Sequence, residues 1–189
     1  GMGPLYEYPI SEGSALAVGN VDNDAQLEIV TNSGYVFDVF NWLDHWRYSE
    51  PFGWEIDVGD LDDNGIDEIV ASVGDGAVRA YSGVTRSPTW TVTNANTDAV
   101  VIADFVGDGA EEILIGDGAA GSGLVKVYAQ TAPGTATLVS GVSAIGDDVP
   151  AIAVGDADHD GEPELLWGSA TPGPSITMAG GTPLEIEST

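Results

Sequence analysis

The chain has no cysteine, which rules out a disulfide framework and leaves its redox compartment unread. Basic side chains are nearly as scarce. Four Lys and Arg stand against 31 Asp and Glu, for a net charge of −27, and Lys126 is the sole lysine. Nucleic acid and anionic membranes both need Lys or Arg to neutralise phosphate, so both are disfavoured as partners. No apolar run approaches the roughly 18 residues required by a membrane span, so insertion is not expected. Catalytic signatures are missing too: there is no GxSxG elbow, P-loop, GxGxxG after a strand or HExxH. The two histidines, His45 and His159, lie far apart in the chain. Acid in such excess also fits a protein working in salty or divalent-rich water.

What is abundant is glycine, with 26 residues, and 10 prolines accompany it. With 43% hydrophobic residues, this describes a globular chain with many turns. The most informative stretch is Gly59–Val70, GDLDDNGIDEIV. Asp60, Asp62 and Asn64 alternate, Gly65 follows, and Glu68 closes a nine-residue loop. Oxygen side chains at positions 1, 3, 5 and 9, with the position-7 carbonyl of Ile66, suit a hard cation. Ca²⁺ takes about 6–8 oxygens at about 2.3–2.6 Å, and glycine at position 6 permits the sharp turn. Without an ion, each close carboxylate pair repels by roughly 1–4 kcal/mol.

The loop recurs. It begins at Asn20 (with Asp22, Asp24, Glu28), at Asp60, at Asp104 (with Asp108, Glu112) and at Asp156 (with Asp158, Asp160, Glu164). The spacings of 40, 44 and 52 residues are those of propeller blades. An apolar run precedes each loop: Ala15–Gly19, Trp54–Gly59, Val100–Ala103 and Ala151–Gly155. Another follows it: Glu28–Thr31, Glu68–Ser72, Glu112–Gly116 and Glu164–Gly168. A third set alternates with period two: Tyr35–Phe40, Ala77–Tyr81, Leu124–Tyr128 and Ser175–Met178. The fourth set is less regular: His45–Ser49, Thr89–Thr93, Ala136–Ser140 and Leu184–Glu187. Short β-branched and aromatic runs between Gly, Asp, Asn and Pro turns predict an all-β fold of four-stranded antiparallel units. An EF-hand would need an acid at position 12 and a helix beyond it, whereas Ala71 and a short strand-like run stand there.

Repeats of the form GDxDxDGxxE followed by IV, each within four strands, resemble FG-GAP or VCBS repeats. These are the calcium-loop blades of integrin α-subunit propellers and of many bacterial secreted proteins. The resemblance runs from about Ala15 to Glu187 and implies a β-propeller whose loops join the first and second strands of each blade. It implies Ca²⁺ as the cofactor, with position-7 carbonyls from Gln26, Ile66, Ala110 and Glu162. The second and fourth loops match the pattern best. The first has Asn20 at position 1 and Ala25 where glycine is usual, which opposes a left-handed turn. The third has Val106 at position 3 and is expected to bind most weakly. The Phe-Gly and Gly-Ala-Pro signatures of the integrin version are absent, so integrin-like ligand binding does not carry over.

The expectations are therefore these. Gly1-Met2-Gly3 reads as a cloning remnant. Residues 4–189 read as a single repeat domain with units at approximately 15–50, 54–93, 99–140 and 150–187. Four repeats form a partial propeller or half-ring, with Pro4–Ile10 as a leftover strand. Open terminal blades expose apolar faces, so a homodimer of half-rings or a piece of a longer array is expected. The metal is structural and no enzymatic activity is expected. An extracellular or cell-surface binding or adhesion scaffold follows from the resemblance, with a protein or glycan ligand. The alternative is a lectin-like propeller or the propeller part of a polysaccharide-degrading enzyme. The aromatic run Phe37, Phe40, Trp42, Trp46, Tyr48, Phe52 and Trp54, with His45 and Arg47, reads as core between blades in preference to a sugar platform.

Overall fold

The computed structural model describes residues 13–39, 45–74, 76–93, 95–118, 124–132, 134–143, 148–169, 175–180 and 185–186. The expected strand Pro4–Ile10, residues 1–3, Phe40, Trp42, Leu184 and Glu187 lie outside them. The described residues form strands and turns and contain no helix.

The strands fall into four antiparallel sheets, each built from four consecutive strands in meander order. The first holds β1 (Leu16–Gly19), β2 (Glu28–Thr31), β3 (Tyr35–Asp38) and β4 (His45–Arg47). The second holds β5 (Ile56–Gly59), β6 (Glu68–Val73), β7 (Ala77–Ser82) and β8 (Ser87–Val92). The third holds β9 (Thr97–Ala103), β10 (Glu112–Asp117), β11 (Leu124–Ala132) and β12 (Thr135–Ser143). The fourth holds β13 (Ala151–Gly155), β14 (Glu164–Ser169), β15 (Ser175–Gly180) and β16 (Glu185–Ile186). First strands lie side by side, β1 on β5, β5 on β9 and β9 on β13. The four sheets do not close into a ring, so the molecule is an open, partial β-propeller.

Burial shows why these sequences need their neighbours. In β6 and β10, EIVASV and EILIGD, nearly every residue is buried, because a sheet covers each face. In the outer sheets β1 and β13 alternate between exposed and covered positions, as a strand covered on one face does. The core is accordingly divided among three seams. Val30, Val36 and Phe52 meet Ile69 and Tyr81 between the first two sheets. Val78 and Trp90 meet Ile113 and Ile115 between the second and third. Leu114 and Val127 meet Leu165 and Trp167 between the third and fourth.

The aromatic run supplies the first seam. Phe52 is buried there with Trp46 and Tyr48 half-buried against it, while Phe37 is buried on the other face of β3 from Val36, stacked on Tyr35 with ring centroids 5.7 Å apart. Phe52 and Tyr48 both pack edge-on to Tyr81 of the second sheet, with ring centroids 5.1 Å apart. Trp54 departs from this pattern and is 69% exposed.

Candidate metal centres

Each β1–β2-type connection is an acidic loop, and all four lie on one rim, since every first strand runs the same way and turns at its end. The last residue of each loop, Glu28, Glu68, Glu112 or Glu164, opens a second strand and is buried. Its Oε2 accepts the N–H of position 2: Val21 at 3.0 Å, Leu61 at 3.2 Å, Phe105 at 3.0 Å and Ala157 at 2.6 Å. This bond folds the carboxylate beneath its own loop.

The loop backbone is shaped by its own acids. Asp60 accepts the N–H groups of Asn64 at 3.0 Å and Gly65 at 2.7 Å, and Asn64 accepts Ile66 N–H at 2.9 Å. Asp104 does the same for Gly107 and Gly109, and Asp156 accepts Gly161 N–H. Positions 4 and 6 take positive φ in the last three loops: Asp63 and Gly65, Gly107 and Gly109, His159 and Gly161. The first loop differs. Ala25 is not left-handed, so the strain expected of it is not incurred, and the turn is held by Asp22 on Asp24 N–H and Asp24 on Gln26 N–H.

Carboxylate oxygens gather in three loops. Those of Asp22, Asp24 and Glu28, of Asp60, Asp62 and Glu68, and of Asp156, Asp158 and Glu164 lie within 4.8 Å of one another in each group. In the third loop Asp104, Asp108 and Glu112 form no such group, Val106 standing at position 3. Asp160 lies outside the fourth group, its Oδ1 accepting Glu162 N–H at 2.9 Å. Asn20 Oδ1 and Glu28 Oε1 are buried and have no hydrogen-bond partner. Both are acceptors, and they flank Asp22 and Asp24. A cation satisfies such a donor set, and these acidic clusters fit a metal ion.

Electrostatics make the same point. Burial raises Glu28 and Glu68 to about 7, and the charges of Asp22 and Asp24, or of Asp62 and Asp60, push the same way. Glu112 is also raised, by burial first and then by Asp108 and Asp104. The basic side chains are engaged elsewhere. Lys126 pairs with Asp117 at 2.9 Å, Arg47 lies over Tyr35, Arg86 lies over Trp46, and Arg79 lines a cleft on the opposite rim.

The structure adds residues that motif reading passed over. Position 8, one residue before the buried Glu, reaches the neighbouring sheet. Asp67 Oδ2 accepts Asn20 N–H at 2.8 Å, while Asp67 N–H donates to the Asn20 carbonyl at 2.7 Å. Glu111 sits in the same place over Gly59, where burial raises its carboxyl against the opposing pull of the Asp60 N–H, and its buried Oε2 has no hydrogen-bond partner. A Cβ on Gly19 would collide with the Asp67 carboxylate, and one on Gly59 with that of Glu111. Asp57 makes a second link between these sheets, its Oδ2 accepting Ile102 N–H at 2.8 Å.

A cleft of about 660 Å³ lies at the other rim of the first seam, between the first two sheets. Trp54, Phe52, Asn32, Ser33, Glu50 and Arg79 line it. Asn32 is committed to structure, accepting Ser14 N–H at 3.1 Å and donating to the Trp54 carbonyl at 2.9 Å.

Among known families, the model described as FG-GAP-like repeat matches residues 104–167, about a third of the chain. That segment runs from the third loop through the fourth to β14, and the match agrees with the repeat resemblance read from the sequence. No curated protein matches the chain.

Proposed function

We propose that this chain is a calcium-stabilised propeller segment serving as an extracellular binding or adhesion scaffold, with no catalytic role. The reading rests on one observation above the others. Buried Glu28, Glu68 and Glu164 each close a group of carboxylates, while Lys126, Arg47 and Arg86 are engaged away from those groups and Arg79 lies in the cleft at the other rim. Buried like charges of this kind are tolerable once a divalent ion stands among them. The side chains of Asn20, Asp22, Asp24 and Glu28 would hold the first ion, and those of Asp60, Asp62, Asn64 and Glu68 the second. Asp156, Asp158, Asp160 and Glu164 would hold another. Carbonyls of Gln26, Ile66 and Glu162 would complete these sets, while Asp104, Asp108, Glu112 and the Ala110 carbonyl make a weaker site.

The ion's contribution is to shape. A site with Kd near 10 μM in about 1 mM calcium adds roughly 2.7 kcal/mol to folding. Extracellular fluid supplies calcium at that level, which is why the reading places the protein outside the cell. Calorimetric titration with Ca²⁺ tests it, with Glu68→Gln as the discriminating variant. Loss of one binding event with the others retained supports the reading. Unchanged stoichiometry, or no heat from the unmodified chain, contradicts it.

A second reading, glycan binding, is favoured by the cleft beside Trp54. An exposed indole flanked by Ser33, Glu50 and Arg79 offers an apolar face and hydrogen-bonding groups to a sugar ring. Titration of neutral oligosaccharides against the unmodified chain and Trp54→Ala separates the readings. Binding that Trp54→Ala removes favours the second.

A further inference from the structure

The hairpins that join third and fourth strands reach the acidic loop of the preceding sheet, and at two seams they do so differently. Ile69 pairs with Tyr81 and Ile113 with Tyr128, so Gly83 and Gln130 each stand two residues beyond equivalent positions. At Gly83 the turn lies directly on the first loop. A Cβ there would collide with the carbonyl of Val21, position 2 of that loop. At Gln130 the chain has not yet turned. β11 runs on to Ala132, and a cavity of about 330 Å³ lies between the hairpin and the second loop. Asp62 and Glu68 line it from the loop, Thr89 from β8, and Gln130 and Gly134 from the hairpin.

Apolar burial does not account for the longer hairpin. Thr131, Ala132, Gly134 and Thr135 are exposed, whereas Gln130 is half-buried. The tip is nonetheless seated on the second sheet, since the Thr89 carbonyl lies 3.3 Å from where a Gly134 Cβ would stand. What the hairpin brings to the cavity is an amide. In the calcium reading of the second loop, on which this inference rests, Asp60, Asp62, Asn64, Glu68 and the Ile66 carbonyl offer one oxygen each. Ca²⁺ takes about 6–8, and water supplies the rest. A metal-bound water keeps its oxygen on the ion and turns its protons to an outer acceptor. Gln130 offers an amide oxygen for that purpose. It does so without adding charge to a loop whose three carboxylates already lie within 4.8 Å of one another.

We propose that Gln130 is a positioning residue for the ion of the second loop, accepting from the third sheet a hydrogen bond of a water that completes the ion's oxygen shell. The second loop's ion thereby ties two sheets together. The first loop, covered by Gly83, has no side chain in that place.

Calorimetric titration with Ca²⁺ compares the unmodified chain with Gln130→Leu and Gln130→Glu, and Glu68→Gln identifies the event that belongs to the second loop. Circular dichroism verifies that the variants fold. Gln130→Leu is close in size and has no acceptor. It should weaken the second-loop event about tenfold, the scale of a lost outer-shell partner, and leave the other events unchanged. Gln130→Glu keeps an acceptor and should bind at least as tightly as the unmodified chain. Urea denaturation in EDTA should give Gln130→Leu the unmodified midpoint, which a residue acting through packing alone would not. The proposal is overturned if Gln130→Leu leaves the second-loop event at its unmodified affinity while Glu68→Gln removes it, a result that leaves the calcium reading standing. It is also overturned if Gln130→Glu weakens the event as much as Gln130→Leu does, or if Gln130→Leu lowers the midpoint in EDTA. No heat from the unmodified chain, or heat that Glu68→Gln does not diminish, overturns the calcium reading of this loop and the role of Gln130 with it.

Discussion

Gly59 has no Cβ, and the Glu111 carboxylate and an Ile102 methyl use the space. Gly59→Ala should therefore destabilise the protein by about 1–3 kcal/mol in urea denaturation, the scale of an overpacked site. Glu111→Ala in the same chain should recover part of that loss, because the two residues share one space. Strictly additive losses would show that they do not. The ligand types of the loops were legible because alternating Asp and Asn before a glycine is a pattern few other structures require. Asp67 and Glu111 were not legible. Each stands beside a loop-closing Glu and reads as one more acid until the neighbouring sheet is seen. The column Leu27, Asp67, Glu111, Pro163, set beside Gly19, Gly59, Ala103, Gly155, was the available signal.

Protonation acts at this scale too. Glu28 and Glu68 rise from 4.5 to about 7 on folding, so the metal-free fold holds protons that the unfolded chain has released. The stability gained from those protons is complete below about 4.5 and is lost as pH climbs through about 7. In chelator, Tm should be higher at pH 5 than at pH 8, and Glu68→Gln should reduce that difference. In calcium the order should reverse, since protons compete with the ion for the same oxygens. Melts at the two pH values check both signs.

Among the elements, strands were read well where burial is one-sided or complete and poorly where polar residues extend a hairpin. The expected Leu124–Tyr128 and Ala136–Ser140 became β11 and β12, Leu124–Ala132 and Thr135–Ser143. The extension is a largely exposed, threonine-rich tip with register shifts at Val127/Tyr128 and Gln130/Ala132, and Thr131 and Thr137 hydroxyls meet at 2.8 Å. Backbone pairing with little apolar burial leaves a weak sequence pattern. The third loop shows the reverse case, a familiar turn with a changed donor set. It keeps the positive φ at Gly107 and Gly109, although Val106 stands at position 3. Since the turn is already formed, Val106→Asp should tighten calcium binding there by about tenfold, the effect of one added charged ligand. Calorimetry should register a stronger third-loop event, and an unchanged isotherm would show that the loop is no metal site.

At the scale of the whole molecule, a net charge of −27 sits on three separate cores and no closed ring. Repeat number and sheet order were legible because the loop recurs with its flanking strands. Apolar faces at the open ends were expected as well, but which residues form them, Leu16 and Val18 among them, depends on which sheets are present. Each inner sheet is held by its neighbours on both faces, so loosening one loop loosens a seam on either side. Ions at three loops would together supply a large part of a typical folding free energy of about 5–15 kcal/mol. The most direct measurement is thermal unfolding of the unmodified chain at neutral pH in about 1 mM calcium and again in excess EDTA. Calcium-held sheets predict a Tm higher by at least about 10 °C in calcium. Coincident melting curves would contradict a structural role for the ion.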